Sequence, residues 1–326
     1  MADARVVFLH GLHPRIVEAI VSINPAGFTT TVVSGKSPED QQVEAVRDAD
    51  FIMAFRAKLT ERILRSAKKA RLVQILSAGY DSINLKLLRE LKIPCANNGG
   101  ANSWAVADYA VLAMLSLYRR LAAADRTVRE GRWSAAIDGM NTFEMAGKVV
   151  GVLGFGNIGQ KVARRVQAFD AIVQYYDKFP LPPERERELK AKRVTLEELF
   201  STSDIVSCHA PLTNDTRHVV NRERLAMMKP TAIIINTSRG PVVEEAALFE
   251  ALQAKRIAGA GIDVFEKEPV DPANPLLKLE NVVVSPHSAG TTWDTWFRRA
   301  GFAYQNMKRV WDGKPPQAVA TDYDAE

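Results

Sequence analysis

Lys148-Val149-Val150-Gly151-Val152-Leu153-Gly154-Phe155-Gly156-Asn157-Ile158-Gly159 joins a short apolar run to the pattern Gly-x-Gly-x-x-Gly. The apolar run is too short for a helix and is typical of a buried strand. The residues from Lys161 to Ala168 then carry apolar positions at helical spacing. We therefore predict a strand, a tight turn and a helix over this segment.

Each glycine of the pattern has a physical task. Gly154 allows a sharp turn, Gly156 lets the backbone approach a pyrophosphate, and Gly159 lets helix and strand pack closely. The helix that follows presents free N–H groups and the positive end of its dipole. This combination predicts an anionic dinucleotide as the ligand.

A second apolar run, Ile172 to Tyr176, ends at Asp177, about twenty residues beyond the glycines, where a carboxylate accepts from a ribose 2′-hydroxyl. The same carboxylate repels a 2′-phosphate, so we expect NAD to be preferred over NADP. Lys178, the next residue, is the feature that would weaken this preference.

Composition is that of a globular protein with two domains. The chain has 326 residues, of which 47% are hydrophobic and 25% charged. Its net charge of +5 comes from basic residues scattered over helix faces without interleaved aromatic residues, so nucleic acid is not an expected partner. The mildly positive field favours small anionic substrates.

The N-terminus enters an apolar strand without the features of a signal peptide, and the apolar region from Trp104 to Tyr118 is too short to span a bilayer. We therefore expect a cytoplasmic protein without a membrane partner. Cys95 and Cys208 lack the spacing of zinc ligands, so no metal site is expected.

Short apolar runs alternate with helical segments along the chain, which predicts parallel sheets covered by helices. Residues 1–100 form one α/β unit, and Ser103 to Glu130 is predicted as one long helical stretch leading into the second domain. A charged, proline-rich turn is expected after Asp177. From Lys148 onwards the pattern predicts a doubly wound sheet, whose ligands lie at the carboxyl ends of its strands.

Three ionisable residues, Arg239, Glu268 and His287, each follow an apolar run that is predicted as a buried strand. A histidine transfers protons near neutral pH, and an arginine binds a carboxylate through two parallel hydrogen bonds. A glutamate on the other ring nitrogen favours the imidazolium. Beside a nicotinamide cofactor, these groups predict interconversion of a 2-hydroxy acid and its 2-keto acid, and a charged imidazole suits the reducing direction.

The ordered motifs of the chain resemble those of the D-isomer-specific 2-hydroxyacid dehydrogenases. They are Gly154-Phe155-Gly156-Asn157-Ile158-Gly159, Asp177, His209-Ala210-Pro211-Leu212-Thr213, Asn236-Thr237-Ser238-Arg239-Gly240, Asp263-Val264-Phe265 with Glu268-Pro269, and Pro286-His287. The resemblance covers nearly the whole chain. It implies an α/β fold of two Rossmann-like domains with doubly wound parallel sheets. These are a flavodoxin-like substrate domain (1–104 with 291–326) and an NAD-binding domain (105–290).

The resemblance also implies roles for the matching residues. His287 would be the acid/base, Glu268 its partner and Arg239 the anchor of the substrate carboxylate. The implied NAD-binding residues are Gly154, Phe155, Gly156, Asn157, Ile158, Gly159, Asp177, His209, Ala210, Pro211, Thr237, Ser238, Arg239, Asp263, His287 and Gly290. Among them Asp263 would bind the nicotinamide amide, and His209 belongs to a cofactor loop and is not the catalytic histidine.

For the substrate, the resemblance implies that backbone amides of Ser77, Ala78 and Gly79 bind the carboxylate. Phosphoglycerate dehydrogenases, which the chain also resembles, carry basic residues after the strand equivalent to Phe51–Phe55, so Arg56 is a candidate for a distal anionic group. The family's members are typically homodimers, and we expect the same here. Ser82, Asn97-Asn98-Gly99-Gly100 and Asp108-Tyr109 depart from the family's pattern and weaken any transfer of substrate identity.

Three functions stay open at this point. The first is an NAD-dependent dehydrogenase or reductase for a small D-2-hydroxy or 2-keto acid, such as glyoxylate, hydroxypyruvate or phosphohydroxypyruvate. The second is an NAD-sensing binding protein, like the transcriptional corepressors of this fold. The third is oxidation of another hydride donor such as phosphite; formate is disfavoured because formate dehydrogenases of this fold have glutamine in place of Glu268.

Overall fold

A computed structural model describes residues 3–133 and 139–321. The chain divides into two compact units. Unit 1 comprises residues 1–102 and 291–326, and unit 2 comprises residues 103–290. The terminal residues 1, 2 and 322–326, which belong to the predicted substrate domain, and residues 134–138 of the predicted NAD-binding domain lie outside the described residues.

The first part of unit 1 alternates strands and helices. They are β1 (Ala4–His10), α1 (Pro14–Val21), β2 (Phe28–Ser34), α2 (Glu39–Val46), β3 (Phe51–Phe55), α3 (Glu61–Ser66), β4 (Leu72–Ile75), α4 (Leu85–Glu90) and β5 (Cys95–Ala96). The strands pair in parallel in the order β2-β1-β3-β4-β5. Every residue of β3 and β4 is buried, as expected for central strands of a parallel sheet with helices on both faces.

Unit 2 contains the remaining strands. Its elements are α5 (Ser103–Tyr118), α6 (Leu121–Arg129), β6 (Val149–Leu153), α7 (Asn157–Gln167), β7 (Ile172–Tyr176), α8 (Pro183–Leu189), β8 (Ala191–Arg193), α9 (Leu196–Thr202), β9 (Ile205–Cys208), α10 (Arg222–Met227), β10 (Ile233–Asn236), α11 (Glu245–Gln253), β11 (Gly259–Ile262) and β12 (Val282–Val284). The strands are parallel, in the order β12-β11-β10-β9-β6-β7-β8. The strand order reverses at β6 and β9, which is where doubly wound sheets bind their ligands.

Two predictions about secondary structure are wrong. The predicted helical stretch from Ser103 to Glu130 breaks after Tyr118, because Arg120 adopts a left-handed conformation with φ +50°. Helix α5 buries one side against the sheet, whereas α6 buries none of its residues. The charged turn expected after Asp177 contains helix α8, in which Pro183 occupies the first turn and Leu189 is buried.

The chain returns to unit 1 in its last helix, α12 (Trp293–Trp311), which begins with a capping box between Thr292 and Thr295. Helix α12 packs with α1 on one face of the unit 1 sheet, against the side chains of β3 that point to that face. Beyond the helix, Val319 forms an antiparallel bridge with Ala96. Unit 1 is thus assembled from both ends of the chain.

Among residues 3–133 and 139–321, no helix is both long and apolar enough to cross a membrane. Within the same residues, no group of three or more histidines, cysteines, aspartates and glutamates is arranged to hold a metal ion. Cys95 and Cys208 are both buried thiols, and burial raises the pKa of each to about 12.

Candidate active site

The glycine turn between β6 and α7 leaves space for a ligand at one position. Gly154 has φ +90°, and a Cβ there would lie 2.5 Å from the amide nitrogen of Ala210. A Cβ on Gly159 would overlap the carbonyl oxygen of Gly154. A Cβ on Gly156, in contrast, would meet no protein atom within 4 Å. Packing of the protein therefore requires glycine at Gly154 and Gly159, while the open space at Gly156 fits a pyrophosphate at the N-terminus of α7.

Asp177, directly after β7, lies beside this turn. Its Oδ2 accepts a hydrogen bond from the amide of Phe155 at 2.6 Å, and its Oδ1 accepts one from the amide of Phe179 at 2.9 Å. The carboxylate is thereby fixed at the end of the neighbouring strand, as a ribose-binding group requires. Lys178 forms an exposed ion pair with Asp215 at 2.9 Å, so its charge is partly compensated within the protein. The residues present thus fit a dinucleotide.

His209 follows β9, next to the glycine turn. Its Nε2 lies 2.8 Å from the hydroxyl of Ser207, and its Nδ1 lies 3.4 Å from that of Thr237. Burial lowers the pKa of His209 to about 3. This imidazole is neutral at physiological pH and is therefore unsuited to donating a proton.

A tight turn after β10 carries Arg239. The side chain of Asn236 organises it, because Oδ1 accepts from the amide and hydroxyl of Ser238 at 3.1 and 2.8 Å, and Nδ2 donates to the carbonyl oxygen of Arg239 at 2.9 Å. Gly240 lies so close to Phe265 that a Cβ would overlap its carbonyl group. The turn bearing Arg239 is therefore packed directly against the loop that follows β11.

Glu268 and His287 form a hydrogen-bonded pair. The Oε2 of Glu268 lies 2.7 Å from Nδ1 of His287, and its Oε1 accepts from the amide of Phe265 at 3.0 Å. The side chains of His287 and Glu268 are 48% and 36% exposed, so the imidazole is oriented by the carboxylate and still accessible to a small molecule. This is the arrangement of a general acid or base held by a partner.

Asp263 holds the loop on which His287 lies. This carboxylate is 2% exposed, and it accepts hydrogen bonds from the hydroxyl of Ser285 at 2.5 Å and from the amides of Ser288 and Ala289 at 2.8 and 3.0 Å. The amide of His287 donates to the carbonyl oxygen of Asp263 at 2.7 Å. These bonds hold His287 in a left-handed conformation with φ +52°. Sequence reasoning missed this contribution, since it considered Asp263 only as a partner of the nicotinamide.

The predicted catalytic residues lie at the carboxyl ends of three neighbouring strands. β10, β11 and β12 lie side by side, and they are followed by Arg239, Glu268 and His287 respectively. The other predicted NAD-binding residues of unit 2 belong to the same edge, because they follow β6, β7, β9, β10, β11 and β12. Arg56 and the loop from Ser77 to Gly79 follow β3 and β4 of unit 1.

Comparison with known proteins identifies the family. The model of the NAD binding domain of D-isomer specific 2-hydroxyacid dehydrogenases matches residues 111–289. A glyoxylate reductase of Korarchaeum cryptofilum is 40% identical over 281 residues, which are 85% of this chain and 84% of that protein. A hydroxypyruvate reductase of Thermotoga maritima is 37% identical over 274 residues, 83% of this chain and 87% of that protein.

The fold is also found among solved structures. The TT0316 protein of Thermus thermophilus superimposes with a TM-score of 0.84 at 31% sequence identity, covering 97% of this chain and 100% of that chain. The sequence similarity to these relatives and the structural similarity to the solved protein both extend over the two units. This chain therefore belongs to the D-isomer-specific 2-hydroxyacid dehydrogenase family and is an NAD-dependent oxidoreductase of 2-hydroxy and 2-keto acids.

Proposed function

We propose that this enzyme reduces a small 2-keto acid to the D-2-hydroxy acid with NADH, with His287 as the proton donor, Glu268 as its partner and Arg239 as the carboxylate anchor. The 2.7 Å pair between His287 and Glu268 is the observation that carries the proposal. Glyoxylate and hydroxypyruvate are the first substrates to test, because curated relatives bear the names glyoxylate reductase and hydroxypyruvate reductase.

The proton transfer follows from the geometry of the pair. With Nδ1 of His287 donating to the Glu268 carboxylate, Nε2 is left to carry the proton for the substrate carbonyl. NADH supplies the hydride when it is bound. His287 returns to the neutral form as the hydroxyl of the product forms, and solvent can reprotonate it because its side chain is 48% exposed.

Arg239 would orient the substrate. Its guanidinium carries donors in a planar fork that matches a carboxylate. The side chain of Asn236 and the close packing of Gly240 against Phe265 fix the turn from which it projects. A rigid turn limits the entropy lost when the substrate binds and favours one orientation of its carbonyl group.

The loop Ser77-Ala78-Gly79 is the second proposed carboxylate contact. Its three carbonyl oxygens accept hydrogen bonds from Asn98 (amide), Asn97 (Nδ2, 3.0 Å) and the Ser77 hydroxyl (2.6 Å). Among the described residues, the N–H groups of these three residues have no acceptor. Adjacent backbone donors of this kind support anion binding.

For the cofactor, we propose that the glycine turn holds the pyrophosphate and that Asp177 binds the adenosine ribose, which would select NAD over NADP. The carboxylate of Asp263 is already shared among three donors of the loop from Ser285 to Ala289. Asp263 would therefore contact the nicotinamide amide in addition to holding this loop.

The test is NADH oxidation, followed optically, with glyoxylate, hydroxypyruvate and pyruvate. We expect turnover that falls by about 10²–10⁴ in His287→Ala, with little change in the Kd of NADH. His218→Ala is a matched control, because His218 forms an exposed pair with Glu266 at 2.8 Å outside the predicted site. Tight NADH binding without turnover of any 2-keto acid would refute the proposal and favour an NAD sensor or another hydride donor.

We also propose that the enzyme is a cytoplasmic homodimer. Large apolar side chains are exposed along and after α5 and α6: Leu112 (54%), Leu121 (54%), Val128 (56%) and Trp133 (93%). Such a surface supports association of two copies. Light scattering of the purified protein should give twice the mass of 36.0 kDa; a monomer at micromolar concentration would refute the dimer.

A further inference from the structure

Two amide side chains are buried between the sheet of unit 1 and its last helix. Gln74 of β4 is 0% exposed and Asn306 of α12 is 1% exposed. Gln74 lies on the same face of its strand as Leu72, which packs under α12. The Nδ2 of Asn306 donates to Oε1 of Gln74 at 2.8 Å. Because buried amide groups are costly unless they are hydrogen-bonded, this pair is a fixed connection between β4 and α12.

Asn306 also fixes the chain that follows α12. Its Oδ1 accepts from the amide of Gln317 at 2.7 Å, and its Nδ2 donates to the carbonyl oxygen of the same residue at 3.1 Å. From there the chain runs antiparallel to β5, where the carbonyl oxygen of Ala318 accepts from the amide of Asn97 at 3.0 Å. The segment after α12 therefore holds the backbone of Asn97, the residue that follows β5.

Gln74 holds the same residue from within the sheet. The Nε2 of Gln74 donates to the carbonyl oxygen of Asn97 at 2.7 Å, so both backbone groups of Asn97 are bonded. The side chain of Asn97 reaches the loop after β4, where its Nδ2 donates to the carbonyl oxygen of Ala78 at 3.0 Å. The next amide, that of Asn98, donates to the carbonyl oxygen of Ser77 at 3.1 Å. Both bonds end on the loop that we propose as a contact of the substrate carboxylate.

These two bonds set the direction of the proposed carboxylate donors. In a planar trans peptide, the C=O and the N–H of the same unit point in opposite directions. The carbonyl oxygens of Ser77 and Ala78 point towards residues 97 and 98, so the N–H groups of Ala78 and Gly79 point away from them. A pair of donors that is fixed before the anion arrives binds it with a smaller loss of entropy than a mobile pair.

We propose that Gln74 and Asn306 are positioning residues, which act through Asn97 to orient the N–H groups of Ala78 and Gly79 towards the carboxylate of the 2-keto acid. The inference rests on the proposed function and extends it to residues outside the loop. Both side chains are buried, so neither contacts the substrate itself. The effect is transmitted by three consecutive hydrogen bonds, from Asn306 to Gln74, from Gln74 to Asn97 and from Asn97 to Ala78.

The test measures the KM for the 2-keto acid, kcat and the Kd of NADH in variants of this connection. Gln74→Met and Asn306→Leu remove the amide groups. We expect each to raise KM by about tenfold, with a smaller change in kcat and an unchanged Kd of NADH. Tyr304→Phe is the matched control, because it removes a buried hydrogen bond of 3.0 Å between the same helix and Thr30. It should lower the Tm and leave KM unchanged.

Gln74→Met and Asn306→Leu change buried residues. If neither variant folds, the partly exposed Asn97→Ala provides the test, because it removes the bond to Ala78, and we expect the same rise in KM. A wild-type KM in a folded variant of the three, or an equal rise of KM in Tyr304→Phe, would overturn the positioning role while leaving the proposed function intact.

If no 2-keto acid is turned over, the proposed function fails instead. The connection is then measured by hydrogen exchange at the amide of Asn98, whose bond to Ser77 depends on the position of the neighbouring Asn97. This amide should exchange faster in Gln74→Met than in Tyr304→Phe, and equal exchange rates would overturn the inference.

Discussion

The variant Gly156→Ala should fold normally but bind the cofactor less tightly. Gly156 has φ −77°, and a Cβ there would meet no protein atom within 4 Å. The folded protein therefore has space for the methyl group, and we expect the stability of the variant to stay within about 1 kcal/mol of the wild type. The same methyl group would hold a pyrophosphate away from the amides at the start of α7.

The expected loss of affinity follows from the hydrogen bonds that the methyl group prevents. One bond between an amide and a charged phosphate is worth about 1.5–3 kcal/mol, so loss of one raises the Kd of NADH by about 10- to 100-fold. Fluorescence titration with NADH measures the Kd, and thermal unfolding measures the Tm.

Two further glycines are controls. Gly301 lies within α12 with open space around it, so Gly301→Ala should keep the wild-type Kd. Gly159→Ala should lower the Tm, because its Cβ would overlap the carbonyl oxygen of Gly154. A folded Gly156→Ala variant that binds NADH with the wild-type Kd would refute the placement of the pyrophosphate at this turn.

Asp263→Asn should lower the free energy of unfolding by about 1–3 kcal/mol and should also lower kcat. The reason is that an amide cannot accept from the Ser285 hydroxyl and two backbone amides at once. An unchanged Tm and kcat would show that the carboxylate does not hold the loop. His209, whose pKa is lowered to about 3 by burial, takes up a proton on unfolding at any pH between this value and about 6.5. The free energy of unfolding in urea should therefore fall as the pH drops below about 6.5, and fall less steeply in His209→Gln; parallel curves for the two proteins would contradict a neutral His209.

The sequence predicts the family, the α/β fold and the cofactor because the underlying signals are local. The three glycines prescribe a turn whose geometry depends on a few residues, and apolar runs that alternate with helical segments indicate a parallel sheet. Once the sheet is predicted, the carboxyl-edge rule brings Arg239, Glu268 and His287 to one place. Family comparison confirms the reaction class, while the individual roles of these residues stay predictions.

Other features depend on tertiary packing and cannot be predicted from the sequence. Arg119 and Arg120 are good helix formers, so nothing local predicts the break between α5 and α6, which occurs where α5 ends its contact with the sheet. Arg298 and Arg299 are chemically identical neighbours. Arg299 is the buried one, which depends on the rotation of α12 against β3 and not on the identity of the two residues.

The construction of unit 1 from two separated segments affects its synthesis on the ribosome. The hydrogen bond at 3.0 Å between Thr30 and Tyr304 joins residues 274 positions apart, whereas unit 2 is one continuous segment. The face of β3 that bears Phe51, Met53 and Phe55 is covered by α12, which is translated after the whole of unit 2. The nascent chain therefore exposes the part of this apolar face that α12 covers until α12 itself has been translated, and during that time it is a binding surface for chaperones.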